Sequence, residues 1–240
     1  MPRVVLVHGA FNELWGPNEL RSRWLPALRD GLWHHGVEID DADVGICFYG
    51  DLYRLDPEKV DPHEWAASRA GTAEMLQELG GDAMVEVLSQ AASTAAFDRT
   101  VDMVTIMSTN PDVRHQARDR LLALIDGETQ VVVGHSMGSI VAHQVLANNP
   151  QIELDTLVTL GSPLGTDIIK ASLQPAGEGG FAPWPGSTRR WVNVAAVGDR
   201  ATGDGRLADH FGPSVQDHRV DNGHRAHDPE PYLNAAVTLS

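Results

Sequence analysis

Residues 131–141 read Val-Val-Val-Gly-His-Ser-Met-Gly-Ser-Ile-Val, and they indicate the fold of the whole chain. The three β-branched residues 131–133 are typical of the end of a buried strand. Gly134, Ser136 and Gly138 then fit the pattern G-x-S-x-G, and an apolar helical run follows. A strand, a tight turn and a helix form the context in which this pattern exposes a serine at the edge of a sheet.

The spacing of this turn has a steric reason. Ser136 at its apex would have a strained backbone that lifts the hydroxyl above the sheet. Gly134 and Gly138 flank it because a Cβ at either position would collide with the adjoining strand or helix. The free N–H groups at the start of the helix point towards charge that develops beside Ser136, which makes the Met137 N–H a candidate oxyanion donor. The alternative is a glycine-rich turn of an ordinary α/β protein, since the pattern also occurs by chance.

Composition limits the possible classes of protein. The chain has 240 residues, of which 42% are hydrophobic and 21% charged, and this predicts a single globular domain over residues 1–240. Its net charge of -15 argues against nucleic acid or an anionic membrane as partner. Cys47 is the one cysteine, which excludes an internal disulfide and a multi-cysteine metal site. Without a leader or an apolar run of ~20 residues, we expect a soluble, cytoplasmic protein.

Apolar stretches alternate with helical segments along the chain. The predicted strands lie near residues 3–8, 44–48, 130–134, 156–160, 191–197 and 216–220. The main predicted helices cover residues 19–35, 111–125 and 229–239. Alternation of this kind predicts a mostly parallel sheet of about six strands between two layers of helices, a three-layer α/β/α sandwich.

The strand pattern is interrupted between residues 50 and 108. Residues 73–96 are rich in Ala, Met, Leu and Glu, which favours helices, with a break at Gly80 and Gly81. Residues 101–107 are apolar and fit either a helix or a strand. We interpret residues 50–108 as a helical cap inserted over the site, and helices packed on the flank of the sheet are the alternative.

The loop after the first strand is a candidate part of the site, because ligands bind beyond the carboxyl ends of parallel strands. His8 and Gly9 lie there and are predicted to contact the substrate. A glycine lets backbone amides approach a substrate oxygen closely. Ala10 or Phe11 would then supply the second oxyanion N–H, beside that of Met137.

Two further side chains are predicted to contact the substrate. Ser162 lies in the loop 161–165, which follows the fourth strand at the same edge of the sheet. Trp184 belongs to residues 174–188, a segment rich in proline and glycine that predicts an irregular loop. No metal ligand set and no cofactor motif accompany these residues, so we expect neither a metal nor a cofactor.

A serine hydroxyl needs a base that takes its proton and a third group that orients that base. In one known chain order the serine is followed by the acid and then by the histidine. Asp199 follows the strand at 191–197 and is the predicted acid, with Asp204 as the competitor. His227 directly precedes a helix start and is the predicted base, with His224 as the alternative.

The chain resembles the α/β-hydrolase fold superfamily, in particular its serine esterases and lipases. The segments that carry the resemblance are residues 7–9, 134–139, 159–165, 191–194 and 226–233. They span nearly the whole chain apart from residues 50–108. In similar proteins the acid aligns with Asp199 and the histidine with His227, although residues 200–202 depart from the usual pattern. The first two strands of the full fold are absent, so the resemblance implies a minimal sheet.

These features together predict a serine hydrolase. Ser136 would attack a carboxylic ester or thioester of a small-molecule acyl substrate and form an acyl-enzyme. The first alternative is an acyltransferase, thioesterase or cyclase of a biosynthetic pathway that uses the same three residues. The second is a non-catalytic binding protein on the same fold. The oligomeric state has no signature in the sequence.

Overall fold

The computed structural model describes residues 2–56, 58–74, 94–166, 169 and 181–239. Six strands form its sheet, namely β1 (Val4–Val7), β2 (Val44–Cys47), β3 (Val131–His135), β4 (Glu153–Leu160), β5 (Ser187–Ala196) and β6 (Val215–Val220). They pair in the order β2-β1-β3-β4-β5-β6, and every pair is parallel. The six predicted strands and the parallel α/β fold are therefore confirmed.

Helices connect these strands. They are α1 (Pro17–Trp33), α2 (62–74), α3 (Thr94–Thr109), α4 (Pro111–Leu122), α5 (Met137–Asn148), α6 (Ala208–Phe211) and α7 (Pro229–Leu233). The ambiguous residues 101–107 are helical and belong to α3. Most of the predicted helical region 73–96, together with its break at Gly80 and Gly81, lies outside the described residues. That part of the prediction stays open.

The apolar side chains form two clusters that share the strands. Val132 of β3 packs in a cluster with Val113 of α4 and Val141 of α5. The next residue, Val133, packs in the other cluster with Trp24 of α1. Successive side chains of a strand point to opposite faces, so each face of β3 is covered. Burial on both faces explains why the strands read as continuous apolar runs.

Strands β4 and β5 begin earlier than predicted. Their register pairs Glu153 with Ser187, and Arg189 bonds Asp155 across the pair at 2.9 Å. Exposed and buried residues alternate over the first residues of each strand. Apolar runs in the sequence mark only the buried parts of β4 and β5, so they do not indicate the half-exposed beginnings of the two strands.

The parallel arrangement gathers the loops that follow the strands at one edge of the sheet. These are residues 8–16 after β1, 136 after β3, 161–165 after β4, 197–203 after β5 and 221–228 after β6. All the predicted catalytic residues lie in or next to these loops. A binding site is therefore expected at this edge.

Candidate active site

Ser136 has a strained backbone. Its φ and ψ are 52° and -126°, between the end of β3 and the start of α5. Among the described residues other than glycine, a positive φ occurs only here and at Phe11, where it is 65°. The Ser136 N–H donates to the Leu160 carbonyl at 2.9 Å, which ties the turn to β4. Strain of this kind persists where the surrounding structure enforces it, and it is often found at functional sites.

The glycines around Ser136 are required sterically. A Cβ at Gly134 would lie 2.6 Å from a Cα atom in the first turn of α5. A Cβ at Gly138 would lie 2.3 Å from the Val7 carbonyl oxygen. Both collisions agree with the sequence analysis. Gly9 is equally constrained, because its Cβ would lie 2.7 Å from the Cβ of Ser136, so the loop after β1 passes directly over the serine.

Three predicted residues meet at this edge of the sheet. Nε2 of His227 lies 2.9 Å from Oγ of Ser136. Nδ1 of the same ring lies 3.0 Å from each carboxylate oxygen of Asp199. The three side chains come from the loops after β3, β5 and β6. A hydroxyl thus has a base within hydrogen-bond reach, and a carboxylate orients that base.

Asp199 is held as a carboxylate. It is 4% exposed, and its Oδ1 accepts the Ala201 N–H at 3.0 Å while its Oδ2 accepts the Tyr232 hydroxyl at 2.5 Å. Burial acts to raise its pKa, but the hydrogen bond and charge of His227, the Tyr232 hydroxyl and the Ala201 N–H together lower the pKa below the usual 3.8. The ionised form faces the imidazole near neutral pH.

The two alternatives from the sequence lie apart from this group. Asp204 is exposed, and its Oδ1 accepts the Arg206 N–H at 3.0 Å in a local turn. His224 is exposed in the short helix Gly223–Arg225. Asp199 and His227 are the acid and histidine that the structure brings to Ser136.

Two backbone N–H groups are free to serve as oxyanion donors. Within the described residues, the N–H groups of Ala10 and Met137 have no acceptor. The Phe11 N–H instead donates to Sδ of Met103 at 3.4 Å. This contact favours Ala10 over Phe11 as the partner of Met137.

Helix α3 holds the loop that carries Ala10. The guanidinium of Arg99 lies 4.9 Å from the Phe11 ring centroid, and its Nε donates to Glu13 Oε1 at 3.0 Å. Within the loop, Nδ2 of Asn12 bonds the carbonyl of Ala10 at 2.9 Å, which fixes the direction of that peptide. The strained turn at Phe11 is therefore braced from both sides.

The described residues form a cleft of about 250 Å³ beside Ser136 and His227. Apolar and charged side chains line it, Ala10, Phe11, Trp15 and Pro229 among the former and Arg23, Arg225, Asp228 and Glu230 among the latter. Arg225 donates to the carboxylates of Asp228 and Glu230, at 2.5 and 2.8 Å respectively. The guanidinium of Arg23 lies 4.1 Å from the Trp15 ring centroid. The charged side chains of Arg225 and Arg23 thus have partners within the protein.

All four of the predicted substrate contacts lie outside the lining of this cleft. His8 is 1% exposed, and its Nε2 accepts the Tyr49 N–H at 3.0 Å. Oγ of Ser162 lies 2.7 Å from Oγ of Ser139 in a buried contact. Nε1 of Trp184 donates to a carbonyl of β5 at 2.8 Å. These side chains have structural partners, and Gly9 is the predicted contact that lies over Ser136.

No protein-family model, curated protein or solved structure matches this chain. Across the segments that the structure describes, no group of three or more His, Cys, Asp or Glu could hold a metal ion. No helix in those segments is long and apolar enough to cross a bilayer. A function for this chain can therefore be inferred only from the geometry of the site.

His135 contacts the backbone of His227, and the sequence did not indicate this contact. Its Nε2 lies 2.8 Å from the backbone carbonyl of His227 and donates to it. Burial, and then the neighbouring His227, lower the pKa of His135 to about 3, so its ring is neutral. The sequence placed His135 beside the nucleophile, but nothing in it indicated contact with the loop after β6.

Proposed function

We propose that this chain is a serine hydrolase of the α/β-hydrolase type, which cleaves a carboxylic ester or thioester through an acyl-enzyme on Ser136. The observation that carries the proposal is the series of contacts from Ser136 through His227 to Asp199, at 2.9 and 3.0 Å. Nucleophile, base and orienting acid in this order are the arrangement that acyl transfer requires.

The residues act in two steps. His227 takes the Ser136 proton as Oγ attacks the carbonyl carbon, and the carbonyl electrons move onto oxygen. The N–H groups of Met137 and Ala10 stabilise that oxyanion, where one such donor typically contributes roughly 10²–10³ in rate. His227 then protonates the leaving oxygen or sulfur. Water, deprotonated by the same histidine, attacks the acyl group and releases the acid while Ser136 regains its proton.

We propose the corresponding architecture, a three-layer α/β/α sandwich with a helical insertion. The two apolar clusters support the layers, because α4 and α5 pack in one and α1 and α7 in the other. Helix α2 and all but the last residue of α3 fall within residues 50–108, the stretch interpreted as an insertion. The contacts of Arg99 and Met103 with Phe11 bring α3 next to the site.

The cleft indicates the kind of acyl substrate. A cleft of about 250 Å³ suits a small ester, since the pockets that hold drug-sized ligands measure roughly 300–1,000 Å³. Arg225 is paired with both Asp228 and Glu230, so this group carries a net charge of about -1 and repels an anionic substrate. We therefore propose a small acyl group that carries no negative charge.

Hydrolysis of p-nitrophenyl acetate, butyrate and octanoate tests this function. The parent protein is expected to hydrolyse the two shorter esters best, and Ser136→Ala to lose on the order of 10⁴-fold or more in kcat. Ser187→Ala is the matched control, because Ser187 is exposed and its Oγ bonds the Pro150 carbonyl. A Ser136→Ala variant that keeps the parent rate would contradict the proposal.

A further inference from the structure

We propose that Tyr232 is a positioning residue of this site, whose hydroxyl fixes the Asp199 carboxylate and withdraws part of its charge from His227. The inference rests on the proposed function, since it adds a fourth residue to the same group. Its consequence is that the Asp199 carboxylate stabilises an imidazolium at His227 less strongly than it would without this hydroxyl.

The direction of the Tyr232 hydroxyl is fixed by its two partners. Tyr232 lies in α7 and is fully buried. Its oxygen accepts the Ala196 N–H at 2.8 Å, at the end of β5. The hydroxyl proton then has one acceptor, Oδ2 of Asp199, at 2.5 Å. A short bond to an ionised acceptor is among the stronger hydrogen bonds in proteins.

The carboxylate cannot rotate away from the imidazole. Oδ1 of Asp199 accepts the Ala201 N–H and Oδ2 accepts the Tyr232 hydroxyl, while both oxygens lie 3.0 Å from Nδ1 of His227. Gly161 closes over the group, because its Cβ would lie 2.9 Å from Oδ2 and 3.1 Å from the Tyr232 ring. Fixed protein donors therefore take the place of water around Asp199.

The hydroxyl affects charge as well as position. A hydrogen bond to the ionised form of an acid stabilises that form and lowers its basicity. The carboxylate then attracts the proton of an imidazolium less strongly. Burial, followed by the charge of Asp199, raises the pKa of Tyr232 well above its ordinary value, so the phenol remains a donor at every pH at which the site would work.

The other titratable groups near this pair do not duplicate the effect. His135 of β3 faces His227 from below and is neutral, because burial lowers its pKa to about 3. His8 acts on His135 from the loop after β1, and burial lowers its pKa to about 4. Arg219 of β6 acts on the Tyr232 phenol, and its Nη1 bonds a backbone carbonyl. Within the described residues, Tyr232 is the side chain besides His227 that bonds the Asp199 carboxylate.

The test compares Tyr232→Phe with the parent protein by the NMR pH titration of the His227 imidazole and by the pH profile of kcat/KM for an ester. We expect the titration midpoint and the acid limb of the profile to rise together by about 0.5–1 pH unit. The melting temperature should also fall, because the Ala196 N–H loses its acceptor.

Thr238→Val is the matched control for the structural part of that change. Oγ1 of Thr238 donates to the Tyr232 backbone carbonyl at 2.5 Å, so this variant loosens the same segment and keeps the hydroxyl. The Thr238→Val variant should have a lower melting temperature and an unchanged midpoint of the His227 titration. As a second probe, 3-fluorotyrosine incorporated at Tyr232 keeps both bonds and donates more strongly, so the midpoint should move to lower pH.

An unchanged midpoint in Tyr232→Phe, or an equal shift in Thr238→Val, would overturn the inference. If Tyr232→Phe does not fold, a midpoint that does not fall with the fluorinated residue overturns it instead. The NMR titration needs no turnover. A protein that fails to hydrolyse esters therefore refutes the proposed function, while the role of Tyr232 is still decided by the midpoint.

Discussion

Replacing His227 with alanine is expected to lower kcat/KM for ester hydrolysis by on the order of 10⁴-fold or more, whereas His224→Ala leaves it unchanged. His227 is the histidine within 2.9 Å of the Ser136 hydroxyl, and without it no base takes the serine proton. His224 is exposed on the short helix that precedes it. Steady-state kinetics on one small ester, with circular dichroism to verify folding, make the comparison.

The same experiment on the acids assigns the third residue. Asp199→Asn keeps the shape of the side chain but removes the negative charge that orients His227 and stabilises its imidazolium. A loss of about 10⁴-fold in kcat is therefore expected. Asp204→Asn, in an exposed turn, should retain the parent rate. Loss of activity in the His224 or Asp204 variants, with activity kept in those of His227 and Asp199, would contradict the assignment.

Acid is expected to destabilise the fold below about pH 6.5 because three histidines are buried in their neutral form. Burial lowers the pKa of His8 to about 4, that of His135 to about 3 and that of His143 to about 4. The unfolded chain takes up protons near pH 6.5 that the folded chain does not accept until these lower values. Their contribution to stability is therefore complete above about pH 6.5 and is lost as the pH falls towards 4.

His143 isolates one of these contributions away from the cleft. Its ring packs against both Trp191 and Phe211. Burial lowers its pKa from 6.5 to about 4, and this difference corresponds to about 3 kcal/mol. The free energy of unfolding in urea falls as the pH is lowered from about 7 to about 4. This fall should be smaller in His143→Phe than in the parent protein, by the amount given above. The exposed His63→Gln is the control and should behave as the parent does. An equal decrease in His143→Phe would contradict the prediction.

The parts of the site that the sequence predicted depend on local rules. The turn at Ser136 was predictable because Gly134 and Gly138 are required by contacts at the ends of neighbouring elements. Asp199 and His227 were predictable because each follows a recognisable strand and the strands end at one edge. Parallel pairing then brings these positions together without any further information.

The parts that were missed depend on contacts between distant segments. The bond from Tyr232 to Asp199 joins residues 33 apart, and that from His135 to the His227 carbonyl joins residues 92 apart. No local pattern specifies which buried hydroxyl or imidazole will meet a given loop. Trp184 shows the converse, since an aromatic residue in a proline-rich segment suggested a pocket but packs 5.6 Å from the ring of Trp191.

Intact-mass analysis after treatment with a fluorophosphonate tests the central claim most directly. The reagent forms a bond between phosphorus and an activated serine Oγ with loss of fluoride. We expect one adduct per chain, located on the peptide that contains Ser136, with no adduct in Ser136→Ala and a much slower reaction in His227→Ala. A folded parent protein that stays unmodified in excess reagent, or one modified at another residue, would contradict the account.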